Sequence, residues 1–190
     1  MRAEDKIYKA FFDLKENRLY YNQIKEQTNL SHSSLQNALE KLTKNSILIE
    51  EKTKSNTFYK IKNKKLFTLK FSELATQKYL NLNRGVRIPL NNFLKNISKE
   101  IYTIILFGSA SRKEERKGSD IDLLIVSYNN INTDKNKKEG ETISNYPINI
   151  FQCTIQDFIK NTDDVIIQAR KTGFPICKEQ NFYEELIYEY

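Results

Sequence analysis

The chain has 190 residues, room for one generous domain or two small ones, and 29% charged residues with a mean hydropathy of −0.64 describe a well-solvated surface. Its longest apolar runs, IYTIILF and IDLLIV, reach about seven residues against the roughly 20 of a membrane helix, and the first residues, MRAEDKIYKAFF, are charged where a signal peptide is apolar. Neither a transmembrane segment nor a secretory leader is expected, and the expectation is a cytoplasmic protein with no membrane partner.

The net charge of +7 is unevenly spread: residues 1–65 carry 14 Lys+Arg against 8 Asp+Glu, residues 66–100 carry 6 against 2, and residues 101–190 carry 11 against 14. A basic module that binds a polyanion, joined to a separate chemical module, would produce this division. Within residues 4–17, Ile7, Phe11 and Leu14 fall on one helix face. A second short helix is predicted over 21–27. In NLSHSSLQNALEKLTKNS, Ser31 or Ser33 can cap a third helix whose apolar stripe is Leu35, Ala38, Leu39 and Leu42. ILIEEKTKSNTFYKIK then reads as a hairpin around a polar turn at 54–57. Three helices followed by a hairpin is the winged helix-turn-helix arrangement, predicted here over 1–65.

In such a unit the third helix enters the major groove and the hairpin reaches neighbouring phosphates, so double-stranded DNA is the expected partner. Ser33, Ser34, Gln36, Asn37, Lys41 and Lys44 lie along the polar side of that helix. Gln36 and Asn37 carry amides that bond adenine edges, while Lys41, Lys44, Lys52, Lys54 and Lys60 suit phosphate neutralisation. A plain solvated face, or a protein-contact module, stays open as the alternative. His32, the only histidine, sits at the start of this helix, and no catalytic role is expected of it.

Residues 66–80 place Phe67, Phe71, Leu74 and Lys78 on one helical face, and Gly85 and Pro89 break the pattern before a helix restarts with Leu90, Phe93, Leu94 and Ile97. This predicts a helical linker over 66–85 and a second domain over 86–190. NNINTDKNKKEGE, residues 129–141, reads as a mobile surface loop. Cys153 and Cys177 form no CxxC pair and read as reduced, partly buried thiols. IQDFIK and DDVIIQARKTGF predict short helices ending near Gly173. The closing tyrosines Tyr183, Tyr188 and Tyr190 are expected to pack on the core rather than meet a partner.

The chemistry is concentrated in FGSASRKEERKGSDIDLLIV. IYTIILF has strand composition, so Gly108 and Ser109 stand where the strand ends. Glycine permits close backbone approach, and the free amides of an opening helix together with the Ser109 hydroxyl suit phosphate oxygens. Arg112, Lys113, Arg116 and Lys117 add positive charge nearby. SDIDLLIV begins a second strand in which Asp120 and Asp122, at i and i+2, project to one face. Two neighbouring carboxylates repel unless a cation offsets them, and Mg²⁺, which takes one or two carboxylates together with substrate phosphates, is the natural offset.

This order of strand, Gly-Ser turn, ten residues and DxD before LLIV resembles the signature of the polymerase-beta-like nucleotidyltransferase superfamily, over about residues 86–180. Within it the chain is most similar to the minimal nucleotidyltransferases, the MNT proteins of prokaryotes. The resemblance implies a mixed-sheet α/β core preceded by the winged helix-turn-helix, Mg²⁺, and an NTP, with ATP the expected one. Gly108 and Ser109 would hold the triphosphate with Arg112, Lys113 and Ser119 beside them, and Asp120 and Asp122 would be the catalytic metal ligands. NMP would be transferred with release of pyrophosphate. A HEPN-type toxin, modified on a tyrosine, is the implied protein partner, a fused winged helix resembles archaeal versions, and a homodimer is a compatible assembly.

One departure stands out. Active members carry a third carboxylate on a later strand, and the matching strand here, YPINIFQCT, has Asn149 at that place. Its carbonyl oxygen can coordinate, but it brings no charge and cannot act as general base. Gln152 is equally uncharged, and Glu141 and Asp157 substitute only if the register differs. Two readings follow: an active Mg²⁺-dependent nucleotidyltransferase, or a catalytically degenerate regulator or antitoxin that binds nucleotide or partner without turnover.

Overall fold

The structure, a computed structural model, describes residues 1–188 and divides into two units. The first comprises residues 1–74 and the described residues from Tyr183 on; the second runs from Ala75 to Phe182. The division falls inside one helix rather than at the end of a separate linker.

The first unit contains α1 (Ala3–Leu14), β1 (Arg18–Tyr20), α2 (Tyr21–Thr28), α3 (His32–Lys44), β2 (Leu48–Lys52) and β3 (Thr57–Ile61), and α4 (Lys64–Leu80) begins in it. Glu4 and Asp5 in the first turn of α1 face the positive end of its dipole, and α1 ends at Lys15 in the left-handed region. Ser31 caps α3 by accepting the Ser34 N–H at 3.3 Å, and the buried side of α3 is Leu35, Ala38, Leu39 and Leu42. The hairpin turn is closed by Thr53, whose N–H and hydroxyl both donate to the Asn56 carbonyl. All three strands are antiparallel in the order β1-β3-β2; the three-residue β1 was not foreseen. Along α4 the buried residues Phe67, Phe71 and Ala75 recur every four positions, whereas Leu74, expected on this face, is only half-buried.

The core of this unit is aromatic. Tyr8, Phe11, Phe12, Phe67, Phe71 and Tyr183 meet with ring centroids 4.9–5.9 Å apart, mostly edge to face. Tyr183 is 3% exposed and packs as expected. The Tyr188 side chain and Tyr190 lie outside the described residues.

The second unit is built on a four-stranded mixed sheet, order β6-β5-β4-β7, from β4 (Ile101–Phe107), β5 (Ile121–Ser127), β6 (Ile148–Thr154) and β7 (Phe174–Cys177). β4 is antiparallel to β5 and β7, and β5 is parallel to β6. β4 and β5 are almost wholly buried, which accounts for their near-continuous apolar sequence. α5 (Arg84–Phe93) precedes the sheet, the one-turn α6 (Gly108–Ser111), α7 (Asp134–Glu141), α8 (Ile155–Lys160) and α9 (Asp164–Thr172) connect its strands, and the start of α10 (Glu179–Tyr188) follows it.

Two expectations are corrected. Gly85 and Pro89 do not interrupt a helix: both lie within α5, which buries Val86, Pro89, Leu90 and Phe93. Pro89 removes one donor, and the Gly85 carbonyl it would have bonded lies on an exposed residue where water can replace it. Residues 129–141 are not a loop throughout, because α7 occupies 134–141 against α5. Asn136 donates to the carbonyls of Phe93 and Lys95, both at 2.9 Å, and Gly140 is buried so closely that a Cβ there would lie 2.6 Å from Ile148 Cδ1. No helix among the described residues is long and apolar enough to cross a membrane.

Candidate functional site

Strand register assembles the site. Phe107 of β4 pairs with Asp122 of β5, and Asp122 pairs with Asn149 of β6, so three residues stand in one row across the sheet. Residues opposite one another project to the same face, and Asp120 joins them from two positions earlier. The Asn149 amide nitrogen lies 3.4 Å from Asp120 Oδ2 and 3.4 Å from Asp122 Oδ1, a long donor shared between both acids. Asp122 is half-buried. Burial raises its pKa, the Asn149 hydrogen bond opposes that, and the Asp120 charge adds to it.

Gly108 follows β4 with φ +69°, and a Cβ on it would sit 2.3 Å from Asp122 Oδ2. Only glycine therefore satisfies both the left-handed backbone and the approach of the turn to the carboxylate. The Ser109 hydroxyl makes no hydrogen bond among the described residues, while the Ser109 carbonyl receives the N–H groups of Arg112 and Glu114 at 3.0 Å. Ser111, buried, donates to the Gly108 carbonyl at 2.8 Å and braces the turn from within.

The basic loop is less available than its composition suggests. Arg112 donates to Glu114 at 2.7 Å and to the Gly108 carbonyl at 3.1 Å, so its guanidinium is folded onto α6. Ser119 accepts the Arg116 N–H at 2.8 Å and returns its own N–H to the Arg116 carbonyl, closing the loop below Gly118. Lys113 is exposed, and its side chain makes no hydrogen bond or ion pair among the described residues. Glu115, which sequence reading did not single out, accepts from Asn83 at 2.6 Å and keeps its other oxygen buried without a partner.

Glu141 and Asp157 do not reach the pair. Glu141 accepts the Ile148 N–H at 2.8 Å, and Asp157 closes a capping box with Thr154 at the start of α8. Gln152 donates to Thr133 at 3.3 Å. No group of three or more His, Cys, Asp or Glu suited to a metal ion occurs among the described residues, in keeping with an amide at position 149. Burial pushes the Cys153 and Cys177 thiols up to about 12 and about 11, which makes them poor nucleophiles.

With this geometry in view, comparison with known families gives one match. Residues 89–172 match the family model for the nucleotidyltransferase domain. The matched segment starts in α5, ends with α9, and contains Gly108, Ser109, Asp120, Asp122 and Asn149. It supports the nucleotidyltransferase superfamily for this part of the chain, and nucleotidyl transfer as its general activity. No curated protein and no solved structure matches the chain.

In the first unit, Ser33, Asn37, Lys44 and Lys54 are exposed with no contact to a charged partner among the described residues. Ser34 is half-buried, Gln36 donates to Glu40 at 3.2 Å, Lys41 pairs with Glu4 of α1, and Lys52 pairs with Glu50 at 3.2 Å. Lys60 is half-buried on β3, opposite Arg18 and Ile49. Glu40 was missed: it shares the exposed side of α3 with Asn37 and Lys44. His32 accepts or donates a 2.7 Å hydrogen bond with the Tyr21 hydroxyl.

Proposed function

We propose that the second unit is a minimal-type, Mg²⁺-dependent nucleotidyltransferase and that residues 1–65 are a winged helix-turn-helix that binds double-stranded DNA. The observation that carries the first part is the row Phe107, Asp122, Asn149, which draws Asp120 and Asp122 onto one amide and sets Gly108 against Asp122. Two converging carboxylates, one of them half-buried beside the other's charge, form a hard oxygen donor set that suits Mg²⁺. Asp120 and Asp122 would hold it, and Asn149 could turn its carbonyl oxygen inward as a neutral third ligand. When bound, the ion would neutralise phosphate charge and polarise the α-phosphate.

The Gly108 main chain and Ser109 hydroxyl hold the outer phosphates of the NTP, with ATP the expected one, and Lys113 is free to approach them. An acceptor hydroxyl attacks the α-phosphorus: a new O–P bond forms, the bond to pyrophosphate breaks, and the acceptor proton passes to solvent because Asn149 cannot take it. A HEPN-type partner and a homodimer belong to this reading through the family resemblance. For the first unit, support comes from the order α1-β1-α2-α3-β2-β3, the Ser31-capped α3, and the exposed Ser33, Asn37, Lys44 and Lys54.

The amide at Asn149 favours a second reading, a regulator or antitoxin that binds nucleotide without turnover. Incubating the purified chain with labelled ATP, CTP, GTP or UTP and Mg²⁺ separates them. Transfer of label supports the enzyme, and Mg²⁺-dependent binding without transfer supports the regulator. Under both, Asp120→Asn and Asp122→Asn abolish metal-dependent nucleotide binding; binding that survives both substitutions refutes the site.

A further inference from the structure

The three-stranded sheet of the first unit has two unlike faces. Leu19, Leu48, Tyr59 and Ile61 are buried on one of them. On the other, strand pairing sets two rows: Arg18, Lys60 and Ile49 stand opposite one another, and Tyr20, Phe58 and Glu51 form the next row. Pairing runs on past β3, since the Lys62 N–H donates to the Ile47 carbonyl at 3.0 Å, and Lys62 falls on the same side two residues beyond Lys60. Arg18, Ile49 and Lys62 are exposed, and Tyr20, Phe58, Lys60 and Glu51 are half-buried.

This second face combines aromatic rings with positive charge. The Tyr20 and Phe58 rings meet edge to face with centroids 6.2 Å apart, and the Arg18 guanidinium lies over the Phe58 ring at 3.9 Å. Lys60 and Lys62 make no side-chain hydrogen bond or ion pair among the described residues. The acid in these rows is Glu51, paired with Arg18 at 2.9 Å; 42% and 39% of the two side chains are exposed, so water weakens the pair and a phosphate can compete for the guanidinium.

Three cations against one acid, set among rings, complement a polyanion that also offers flat apolar surfaces. A double helix does not, because its bases are stacked out of reach and its major groove admits a helix or a two-stranded ribbon rather than a three-stranded face. An unpaired strand does: its bases lie on an aromatic ring or a guanidinium plane while its phosphates follow the cations. Lys60 and Lys62 are roughly 6.6 Å apart along the strand direction, room for successive phosphates of an extended chain. Glu51 selects among unpaired strands. A carboxylate repels phosphate but accepts from a hydroxyl, and the 2′-hydroxyl is the donor that RNA has and DNA lacks.

We infer that this face of the β1-β3-β2 sheet is a binding platform for single-stranded RNA, separate from the exposed side of α3 and from the nucleotide site. The Tyr20 ring and the Arg18 plane stacked on Phe58 receive bases, Lys60 and Lys62 receive phosphates, and Glu51 accepts a ribose hydroxyl. The platform does not depend on duplex binding by α3.

The test is fluorescence polarisation of the full chain with an end-labelled oligouridylate, an oligodeoxyuridylate of the same length, and a blunt DNA duplex of mixed sequence. Saturable binding of the oligouridylate is expected, about fivefold or more tighter than that of its deoxy counterpart. Phe58→Leu, which keeps an apolar contact and removes the ring, weakens it about fivefold or more and leaves duplex binding unchanged. Lys62→Ala, on an exposed side chain, lowers the slope of log affinity against log salt by about 0.7, and it decides the question where Phe58→Leu fails to fold. Absence of binding, equal affinity for the deoxy oligomer, indifference to both substitutions, or full displacement by a stoichiometric amount of duplex would each overturn the platform. Dimerisation that Ile49→Lys abolishes, with no RNA bound, overturns it as well and assigns the face to a second copy. Oligouridylate binding without duplex binding refutes the α3 reading and leaves the platform standing; duplex binding without oligouridylate binding does the reverse.

Discussion

Asp122 is held half-buried beside Asp120, with one long hydrogen bond from Asn149 to offset both burial and repulsion. Its pKa in the folded chain is raised above the ordinary aspartate value of about 3.9. The folded state therefore binds more protons than the unfolded state between those two values, and stability falls as pH rises through that window. The contribution is complete below the unfolded value and gone above the folded one. Thermal melts in chelator should show this decline at mildly acidic pH, Asp122→Asn should flatten it, and added Mg²⁺ should raise the melting temperature more above the window than below it. At Gly108 the demand is steric: Gly108→Ala places a methyl group on the Asp122 carboxylate in a left-handed backbone, at about 1–3 kcal/mol of strain. Urea unfolding should register that loss, and nucleotide binding should fall with it.

At the scale of elements, α7 shows what sequence pattern conveys and what it does not. Its surface reads as solvated lysine, asparagine and glutamate, and its packing face is not apolar at all: Gly140 and the Asn136 amide meet α5 and β6. Close approach through a missing side chain leaves no hydrophobic period to detect. Gly140→Val should push α7 off Pro89 and Ile148 and cost about 1–3 kcal/mol, whereas Lys135→Ala, on an exposed side chain, should cost almost nothing; equilibrium unfolding of the two variants checks the contrast. By comparison, Leu35, Ala38, Leu39 and Leu42 were legible as the buried stripe of α3 because their period is complete. β4 and β5 were legible because a strand buried on both faces must be apolar throughout. The three-residue β1 and four-residue β7 were not, since each is too short to repeat anything and exists only because β3 or β4 offers it an edge. The pairing of Asp120 with Asp122 follows from period two, but the bend of Arg112 onto Glu114 does not, because a side chain's choice between a neighbouring acid and a phosphate is not written in spacing.

Across the whole molecule, positive charge dominates residues 1–100, ahead of β4, and the acids dominate after β4 begins. If residues 1–65 contact DNA, the logarithm of affinity should fall linearly with the logarithm of salt, by about 0.9 for each phosphate neutralised. Lys44→Ala and Lys54→Ala should each lower that slope by about 0.9, whereas Lys41→Ala should change it less because Glu4 already engages the ammonium. Filter binding over a range of salt reads all three, and a flat profile would assign this unit to protein contacts instead.

Tyr183, Leu186 and Ile187 line the same hydrophobic patch as Phe12, Phe71 and Ile61, although more than a hundred residues of a different unit are threaded between them. During synthesis the ribosome delivers residues 1–74 first, yet their nucleus lacks a stone until α10 has emerged. A nascent chain stalled anywhere between Ala75 and Phe182 thus holds an unfinished N-terminal module, and maturation of that module reports that translation has passed through the entire second unit.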